Sequence, residues 1–446
     1  MKINLPKDVS TIISILEAAG FEAYAVGGCV RDVILGRTPD DWDITTSAKP
    51  GEIKSLFKKT VDTGIQHGTV TVLMNGNGYE VTTYRIDGIY EDARHPKEVS
   101  FTSDLKEDLK RRDFTINALA YNDSSGLIDE FDGIGDLNKG IIRCVGDPTE
   151  RFSEDALRMM RAVRFAAQLG FEIDPDTRSA ASKLAPNLKK VSVERILTEL
   201  TKLICSDHPM MLKDCYEMGL TAQFIPEFDK CMTSPQNISH HCYDVGEHIL
   251  HTMDAIRPDR VLRFTMLMHD IAKPEVMTVD EDGIIHNKGH AGLGAKMSGT
   301  ILRRLHADNA LIDSVKVLVE YHDWRFEADK RSVRRAMNRI GYDLFPMMIE
   351  VKRADIAGQS DYKREEKLSK LDEIEKLYLE IKKDNEAVQI KDLAVTGRDI
   401  IDAGIKTGPE IGGILKAMLD HVLDYPEDNT KETLMKLFVY DPAKQQ

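Results

Sequence analysis

The stretch Gly27-Gly28-Cys29-Val30-Arg31-Asp32, followed closely by Asp41-Trp42-Asp43, holds the residue types best suited to chemistry. Two glycines let backbone amides approach a phosphate with no Cβ in the way. The spacing predicts a strand over Trp42 to Thr45, and side chains on extended backbone alternate, so Asp41 and Asp43 face the same way. Adjacent carboxylates repel each other unless a hard cation lies between them, and Mg²⁺ with a triphosphate is the usual solution. In such a site one cation lowers the pKa of an attacking hydroxyl while another supports the leaving pyrophosphate. Arg31 is placed to hold triphosphate oxygens, and Glu80 is a candidate third carboxylate. Capping of a turn near Pro39-Asp40 is the competing role for Asp41. The set implies nucleotidyl transfer.

Two further groups extend it. Leu109-Lys110-Arg111-Arg112-Asp113-Phe114-Thr115-Ile116-Asn117-Ala118-Leu119 opens on an arginine pair and turns Phe114, Ile116 and Leu119 inward. An arginine fork binds phosphate or a base edge in bidentate fashion. An ordinary ion pair to Asp108 or Asp113 is the alternative. In Glu154-Asp155-Ala156-Leu157-Arg158-Met159-Met160-Arg161-Ala162-Val163-Arg164-Phe165, the residues Asp155, Arg158, Arg161 and Arg164 recur every third position. On one helix they form a drifting stripe, with Leu157, Met160 and Val163 on an adjoining core face. An Asp–Arg pair offers an acceptor beside a planar donor fork, and could read the Watson–Crick edge of a base without a template. Intrahelical ion pairs with solvated arginines are the bland alternative.

The elements that position these groups fall into two regimes. Asp8 to Ala19 has helical apolar spacing and stops at Gly20; Ala23 to Val26 reads as a strand feeding the glycines, and Val30 to Leu35 as a short helix. Gly68 to Met74 and Tyr79 to Tyr84 alternate and are joined by Asn75-Gly76-Asn77-Gly78, a hairpin signal. Strand signals end near Ile142. Beyond Asp147-Pro148 the 3.6-residue period dominates, in Ser153 to Leu169, Val191 to Ile204 and Pro209 to Met218. The mixed charges of Lys352 to Glu386 read as a solvated helix face.

At 446 residues the chain needs more than one core, and 42% hydrophobic with 30% charged residues describes a soluble globular protein. The absence of an 18-residue apolar run or a leader-like start predicts no membrane segment and a cytoplasmic location. Six cysteines without CxxC spacing predict reduced thiols and no zinc ribbon. A net charge of −14 gives no general affinity for nucleic acid, although a local basic face suffices for phosphate contacts.

The motifs in order, together with Glu194-Arg195-Ile196, closely resemble the bacterial class II tRNA nucleotidyltransferases, the CCA-adding enzymes, whose superfamily includes bacterial poly(A) polymerases. The match spans roughly the first 205 residues. The resemblance implies an α+β fold: a polymerase-β-like head over 1–142, an all-helical neck over 143–205 that selects the nucleobase, a helical body over 206–365 and a tRNA-binding tail over 366–446. It implies Mg²⁺ on Asp41 and Asp43. It assigns triphosphate contacts to Gly28, Arg31 and Arg112, and base selection to Asp155 and Arg158 with Arg161 and Arg164 in support. Glu194 and Arg195 match a structural neck motif. Tyr90 to Val99 is similar to the mobile loop of full CCA-adding enzymes, which favours CTP addition followed by ATP addition to tRNA. Poly(A) polymerase and CC- or A-only relatives are the alternatives.

Met266-Leu267-Met268-His269-Asp270-Ile271-Ala272-Lys273-Pro274 resembles the HD phosphohydrolase signature. With His290, His322-Asp323 and Asp355 further along the body, adjacent His and Asp cannot share a helix face, but they can flank a dinuclear metal when other helices complete the ligand set. His248 and Asp355 are the natural completing ligands, and His290 a further one. An HD fold without turnover stays open, as does an HD phosphohydrolase whose head only senses nucleotide. His240, His241 and His251 read as surface or packing residues.

Overall fold

A computed structural model of the chain describes residues 2–88, 99–236 and 243–440, which divide into two compact units, Met1–Pro226 and Glu227–Gln446. The first unit is built on a mixed sheet. Strands β1 (Ala23–Val26), β2 (Ile44–Thr46), β3 (Thr60–Gly64), β4 (Thr69–Met74) and β5 (Asn77–Thr83) lie in the order β3-β4-β5-β2-β1, and Leu119–Asn122 and Gly126–Asp129 continue the sheet beyond β1. Every residue of β1 is buried, as its unbroken apolar run Ala-Tyr-Ala-Val requires of a central strand covered on both faces. Edge strand β3 is largely exposed and carries Thr60, Asp62 and Thr63. The β4–β5 hairpin turns on Asn75 and Gly76, both at positive φ (51° and 88°), the geometry that Asn-Gly adopts most readily.

The Lys7–Ala18 helix buries Val9, Ile12, Ile13 and Leu16, one face of a 3.6 period. Behind the sheet, Tyr24, Val26, Tyr84, Leu105, Leu109, Ala118, Ala120 and Val145 form one apolar cluster. The expected strand over Trp42 to Thr45 is shifted to Ile44–Thr46, so Asp41 and Asp43 precede it. The chain there is still extended: Val26 donates its N–H to the Asp43 carbonyl at 3.0 Å. Asp41 and Asp43 are accordingly exposed on either side of half-buried Trp42, and the alternation survives the shift.

The helix expected over Ser153 to Leu169 is two helices, Pro148–Glu154 and Leu157–Leu169. Asp155 adopts extended dihedrals (φ −140°, ψ 104°) and its carboxylate accepts the Leu157 N–H at 3.0 Å. A short acceptor side chain competes with the helix for backbone donors, and here it ends one helix and starts the next. The drifting stripe therefore begins at Arg158; Asp155 lies outside the helix that carries the arginines. The Leu157–Leu169 helix packs on Val193–Ile204 and buries Leu157, Met160 and Val163. Two small strand pairs also lie beyond the predicted strand region. Glu172–Ile173 pairs in parallel with Ile141–Ile142, and Thr278–Val279 pairs with Ile285–His286 inside the otherwise helical second unit. Two-residue strands are too short to show a period.

The second unit packs the helices Val245–Asp254, Arg260–Met268, Asn309–Tyr321 and Phe345–Ala357 around one another. Arg364–Lys383 is the expected charged helix, and Pro409–Val422 starts at the Gly408-Pro409 step, proline being suited to the first helical position. Among the described residues no helix is long and apolar enough to cross a membrane. Cys29, Cys144, Cys205, Cys215 and Cys231 are free thiols; Cys242, His240, His241 and all but the last residue of the Tyr90–Val99 loop lie outside the described residues.

Candidate functional site

The head site forms where β1 ends and β2 begins, next to one another in the sheet. Gly27 leaves β1 at φ +83°, a conformation that costs a side-chain-bearing residue 1–2 kcal/mol in sterics alone. A Cβ on Gly27 would stand 2.8 Å from Arg112 Nη1, whereas one on Gly28 meets nothing closer than Arg31 Nη2 at 3.7 Å. The first glycine makes the close approach, therefore, and the second opens the Gly28–Ile34 helix. Sequence reasoning had singled out Gly28; the unusual dihedral at Gly27 has no separate sequence signal within a Gly-Gly pair.

In the parallel β2–β5 pairing Ile44 is level with Val81, which sets Asp43 beside Glu80. Packing of protein around Asp43 and the charge of Asp41 push its pKa up to about 6, Glu80 adding to the rise and Arg112 opposing it. Carboxylates gathered in this way repel one another unless a cation lies between them, and hard oxygen donors suit Mg²⁺.

The arginine pair divides its work. Arg111 lies in a bifurcated pair with buried Asp108 (Nε–Oδ1 3.0 Å, Nη2–Oδ1 2.8 Å). Arg112 reaches Asp108 only at 3.8 Å, and its buried Nε has no hydrogen-bond partner. Lying against Gly27 and within the field of Asp43, Arg112 retains donor capacity for an anion.

Arg31 is fixed from three sides: Nε donates to Asp32 Oδ1 at 2.8 Å, Nη1 to Asn117 Oδ1 at 2.6 Å, and the guanidinium lies 4.9 Å from the Phe165 ring centre. Asn117 Nδ2 donates to Asp113 Oδ1 at 3.0 Å, and Asp113 Oδ2 accepts from Arg161 Nε and Nη2 at 2.8 and 2.6 Å. Burial alone would raise Asp113, yet Arg161 and the Asn117 hydrogen bond hold its carboxyl well below the usual carboxylate range. Arg161 also faces Glu199 at 3.8 Å, and Arg164 donates to Glu199 Oε2 at 2.9 Å while stacking 3.5 Å from the Phe165 centre. The anions that the arginine stripe demands are thus largely internal: Asp113, Glu199 and, for Arg158, Glu154 at 2.5 Å. Asp155 pairs with Arg195 at 2.7 Å, so in this structure Asp155 and Arg158 each hold a different partner. From the sequence, Asn117 and Glu199 have no assigned role and Asp113 is only an ion-pair partner for Arg111 or Arg112; the roles seen here arise from residues far apart in the chain.

Among the described residues, the groups of three or more metal-ligating side chains with donors within 4.8 Å of one another are His248, His269 and Asp270, and Asp270, His290 and His322, both in the second unit. His248 lies on the Val245–Asp254 helix, His269 caps Arg260–Met268, and Asp355 lies on Phe345–Ala357. His248 Nε2 is 3.0 Å from Asp355 Oδ1, 3.4 Å from Asp270 Oδ2 and 3.2 Å from His269 Nε2. Each Nδ1 meets a carbonyl, which only accepts: His248 that of Gly358 (3.0 Å), His269 that of Met266 (2.7 Å). Both Nδ1 atoms therefore donate outward, and the two Nε2 atoms face each other and the Asp270 and Asp355 carboxylates. Gly358 is needed here, because a Cβ would fall 2.6 Å from the Thr252 methyl and 3.2 Å from His248 Nδ1. Burial works against ionising Asp270, but Lys273 and His269 outweigh it and hold the carboxyl well below its usual range.

A family model of the poly A polymerase head domain matches residues 23–143. Others, for the RNA and SrmB-binding site of polymerase A and for tRNA nucleotidyltransferase domain 2, match 170–232 and 290–438. The CCA-adding enzyme of Levilactobacillus brevis is 38% identical over 431 residues, 95% of each chain. This chain belongs to the CCA-adding enzyme family. The CCA-adding enzyme of Limosilactobacillus fermentum is 36% identical over 95% of this chain and 94% of its own. The Bacillus stearothermophilus CCA-adding enzyme, solved in complex with CTP, is 30% identical with a TM-score of 0.72 over 98% of both chains. The α+β head and helical remainder are those of a CCA-adding enzyme.

Proposed function

We propose that this member of the CCA-adding enzymes builds or repairs the 3′ CCA end of tRNA from CTP and ATP through the residues gathered around Gly27. The tRNA 3′-hydroxyl attacks the α-phosphate, the bond to the β-phosphate oxygen breaks, and pyrophosphate leaves. Asp41 and Asp43, with Glu80 alongside, would hold Mg²⁺, whose chemistry is to lower the pKa of the hydroxyl and to neutralise the leaving group. Arg112 offers donors to the triphosphate, and Arg31, locked by Asp32 and Asn117, presents a fixed charge beside it. Asp155 and Arg158 are assigned to base selection. For that role they must first release Arg195 and Glu154, an exchange that two successive bases would require. The observation that carries this reading is the juxtaposition of a side-chain-free turn at Gly27, an under-satisfied Arg112 and mutually repelling carboxylates.

The test is incorporation into tRNA lacking its last three nucleotides, with CTP and ATP supplied singly and together. Two residues from CTP, then one from ATP, is expected. Long A tracts would replace the reading with poly(A) polymerase, and incorporation of only one nucleotide type would make the chain a partial enzyme. The intracellular location of tRNA supports a cytoplasmic site of action, and the residues from 366 onward are assigned to tRNA contact.

A second reading rests on the convergence of His248 Nε2 and His269 Nε2 with the Asp270 and Asp355 carboxylates. The four residues form a divalent-metal site with an activity of its own, hydrolysis of a phosphoester. Loss of phosphate release in His269→Ala, with tRNA 3′-end addition intact, is the expected outcome; no release from the metal-loaded wild type would reject it.

A further inference from the structure

The one charged residue on the buried face of the Leu105–Lys110 helix is Asp108, which shares that face with Leu105 and Leu109. An isolated carboxylate there is far costlier than a leucine, so its partners must account for it. Its two oxygens are engaged differently. Oδ1 accepts from Arg111 Nε and Nη2 at 3.0 and 2.8 Å and from the Arg85 N–H at 3.2 Å. Oδ2 accepts from the Thr45 hydroxyl at 3.0 Å, a closer and charged alternative to the Thr82 carbonyl at 3.3 Å. The other group near Oδ2 is Arg112, whose Nη2 stands 3.8 Å away, too far for a hydrogen bond but close enough for charge attraction. Burial works against ionising Asp108, but Arg111 and Arg112 outweigh it and hold the carboxyl below its ordinary range.

Arg112 therefore lies between two anions that compete for it. Asp108 acts on it more strongly than any other carboxylate, and Asp43 comes next. In return, Arg112 opposes the rise in the Asp43 pKa. A guanidinium free to move would be drawn onto Asp43, and a full ion pair there would occupy the carboxylate that a cation needs. One drawn fully onto Asp108 would lose the donors that a triphosphate needs. The observed position is neither. Nη1 stands where a Cβ on Gly27 would come within 2.8 Å, and the buried Nε has no hydrogen-bond partner. Arg111, Arg85 and Thr45 fix Asp108 from three sides and so set its distance from Arg112. Thr45 ties this anchor to the site itself, since it lies two positions after Asp43 on extended backbone and faces the same side.

We propose that Asp108 is a positioning residue for nucleotide addition, an electrostatic tether that keeps the Arg112 guanidinium beside Gly27 and off the Asp41 and Asp43 carboxylates. The proposal rests on the reading of Gly27, Arg112 and Asp43 as the triphosphate and Mg²⁺ site, and adds the group that keeps its cationic and anionic side chains apart. Fully buried, Asp108 acts through Arg112 and not on the substrate.

The experiment measures tRNA 3′-end addition with CTP and with ATP across Mg²⁺ concentrations, in full-length Asp108→Asn, Arg112→Ala and the double variant. In Asp108→Asn the guanidinium closes on Asp43. KM for both nucleotides should rise together by roughly 10-fold, the effect of one lost charge-assisted hydrogen bond. The Mg²⁺ concentration giving half-maximal rate should rise as well. Removing Arg112 in that background clears Asp43, so the double variant should keep the raised KM but return to the Mg²⁺ requirement of Arg112→Ala alone. A merely structural loss produces no such reversal. Thr45→Val keeps the test open should Asp108→Asn fail to fold by circular dichroism. Without the hydroxyl, Oδ2 takes Arg112 instead, so KM for both nucleotides should rise while the Mg²⁺ requirement does not. A raised KM in Arg112→Ala with wild-type behaviour in Asp108→Asn, or in Thr45→Val, overturns the tether and leaves the site reading standing. A double variant whose Mg²⁺ requirement stays raised overturns the tether too. Wild-type KM in Arg112→Ala overturns the placement of triphosphate on Arg112, and the tether with it.

Discussion

Asp113→Asn isolates what the buried network contributes, because it keeps the shape and removes only the charge. An amide at that position can still accept from Asn117 and from the Phe114 N–H, which lies at 2.9 Å. Its other edge turns donors toward Arg161, so two charge-assisted hydrogen bonds at 2.8 and 2.6 Å are lost. Bonds to charged groups are worth about 1.5–3 kcal/mol each, and breaking a buried pair costs about 3–5 kcal/mol. Arg161 is one-third exposed and keeps Glu199 at 3.8 Å, which offsets part of this. The expected loss is about 3 kcal/mol, or roughly 6–12 °C in the melting of a unit of this size. The chain has two tryptophans, Trp42 and Trp324, so Trp324→Phe leaves Trp42 as a fluorescence reporter of the first unit alone.

The pH dependence has a definite sign. Arg161 and Asn117 hold the Asp113 pKa below its unfolded value, so its stabilisation is complete above about pH 4 and fades as acid protonates the folded form. The gap between wild type and variant should be constant near neutrality and close below pH 4. In catalysis, Asn117 keeps its hydrogen bond but loses the charge of its acceptor, so it grips Arg31 less firmly; a displacement of about 1 Å there costs on the order of 100-fold, and kcat/KM for CTP and ATP should fall together. Wild-type kcat/KM and an unchanged Trp42 transition in Asp113→Asn would refute the argument. A stability difference that widens below pH 4 would refute the charge assignment.

Other substitutions probe the remaining parts. Asp43→Ala should abolish incorporation at any Mg²⁺ concentration while leaving the circular dichroism spectrum unchanged; wild-type turnover would sink the metal assignment. Gly27→Ala meets both a left-handed dihedral and Arg112 Nη1 at 2.8 Å. It should destabilise by about 1–2 kcal/mol and raise KM for both nucleotides, measured by denaturant melts and initial rates. Arg195→Ala frees Asp155 from its 2.7 Å partner, and the ratio of CTP to ATP incorporation should shift by more than the overall rate; an unchanged ratio removes Arg195 from base selection. Gly358→Ala, pressed against Thr252 and His248, should weaken Co²⁺ binding by about 10–100-fold in a dialysis measurement with head activity unaffected.

What the sequence determined by itself is the chemistry and the local scaffold. Motif order, apolar period and turn dipeptides act over a few residues, and they were sufficient to place the β1 turn, the Asn75-Gly76 hairpin, the helical second half and the candidate carboxylates and histidines. Where a local rule met a tertiary contact, the contact prevailed. Asp155 left its predicted helix to cap the next one and to pair with Arg195, forty positions away. Arg111 and Arg112, alike in sequence, parted because only Arg111 comes within bonding distance of buried Asp108.

Asp113, Asn117 and Glu199 carried no periodic or motif signal for their roles, since a buried ion pair is defined by which distant side chains are desolvated together. His322 was legible in part. Its adjacent Asp323 echoes His269-Asp270 in the sequence, yet only the packing of four helices shows that its Nε2, unlike the Asp323 carboxylate, turns toward Asp270. Local propensity determines which residues are available; desolvation and Coulomb energy, which depend on distances through space, decide their partners.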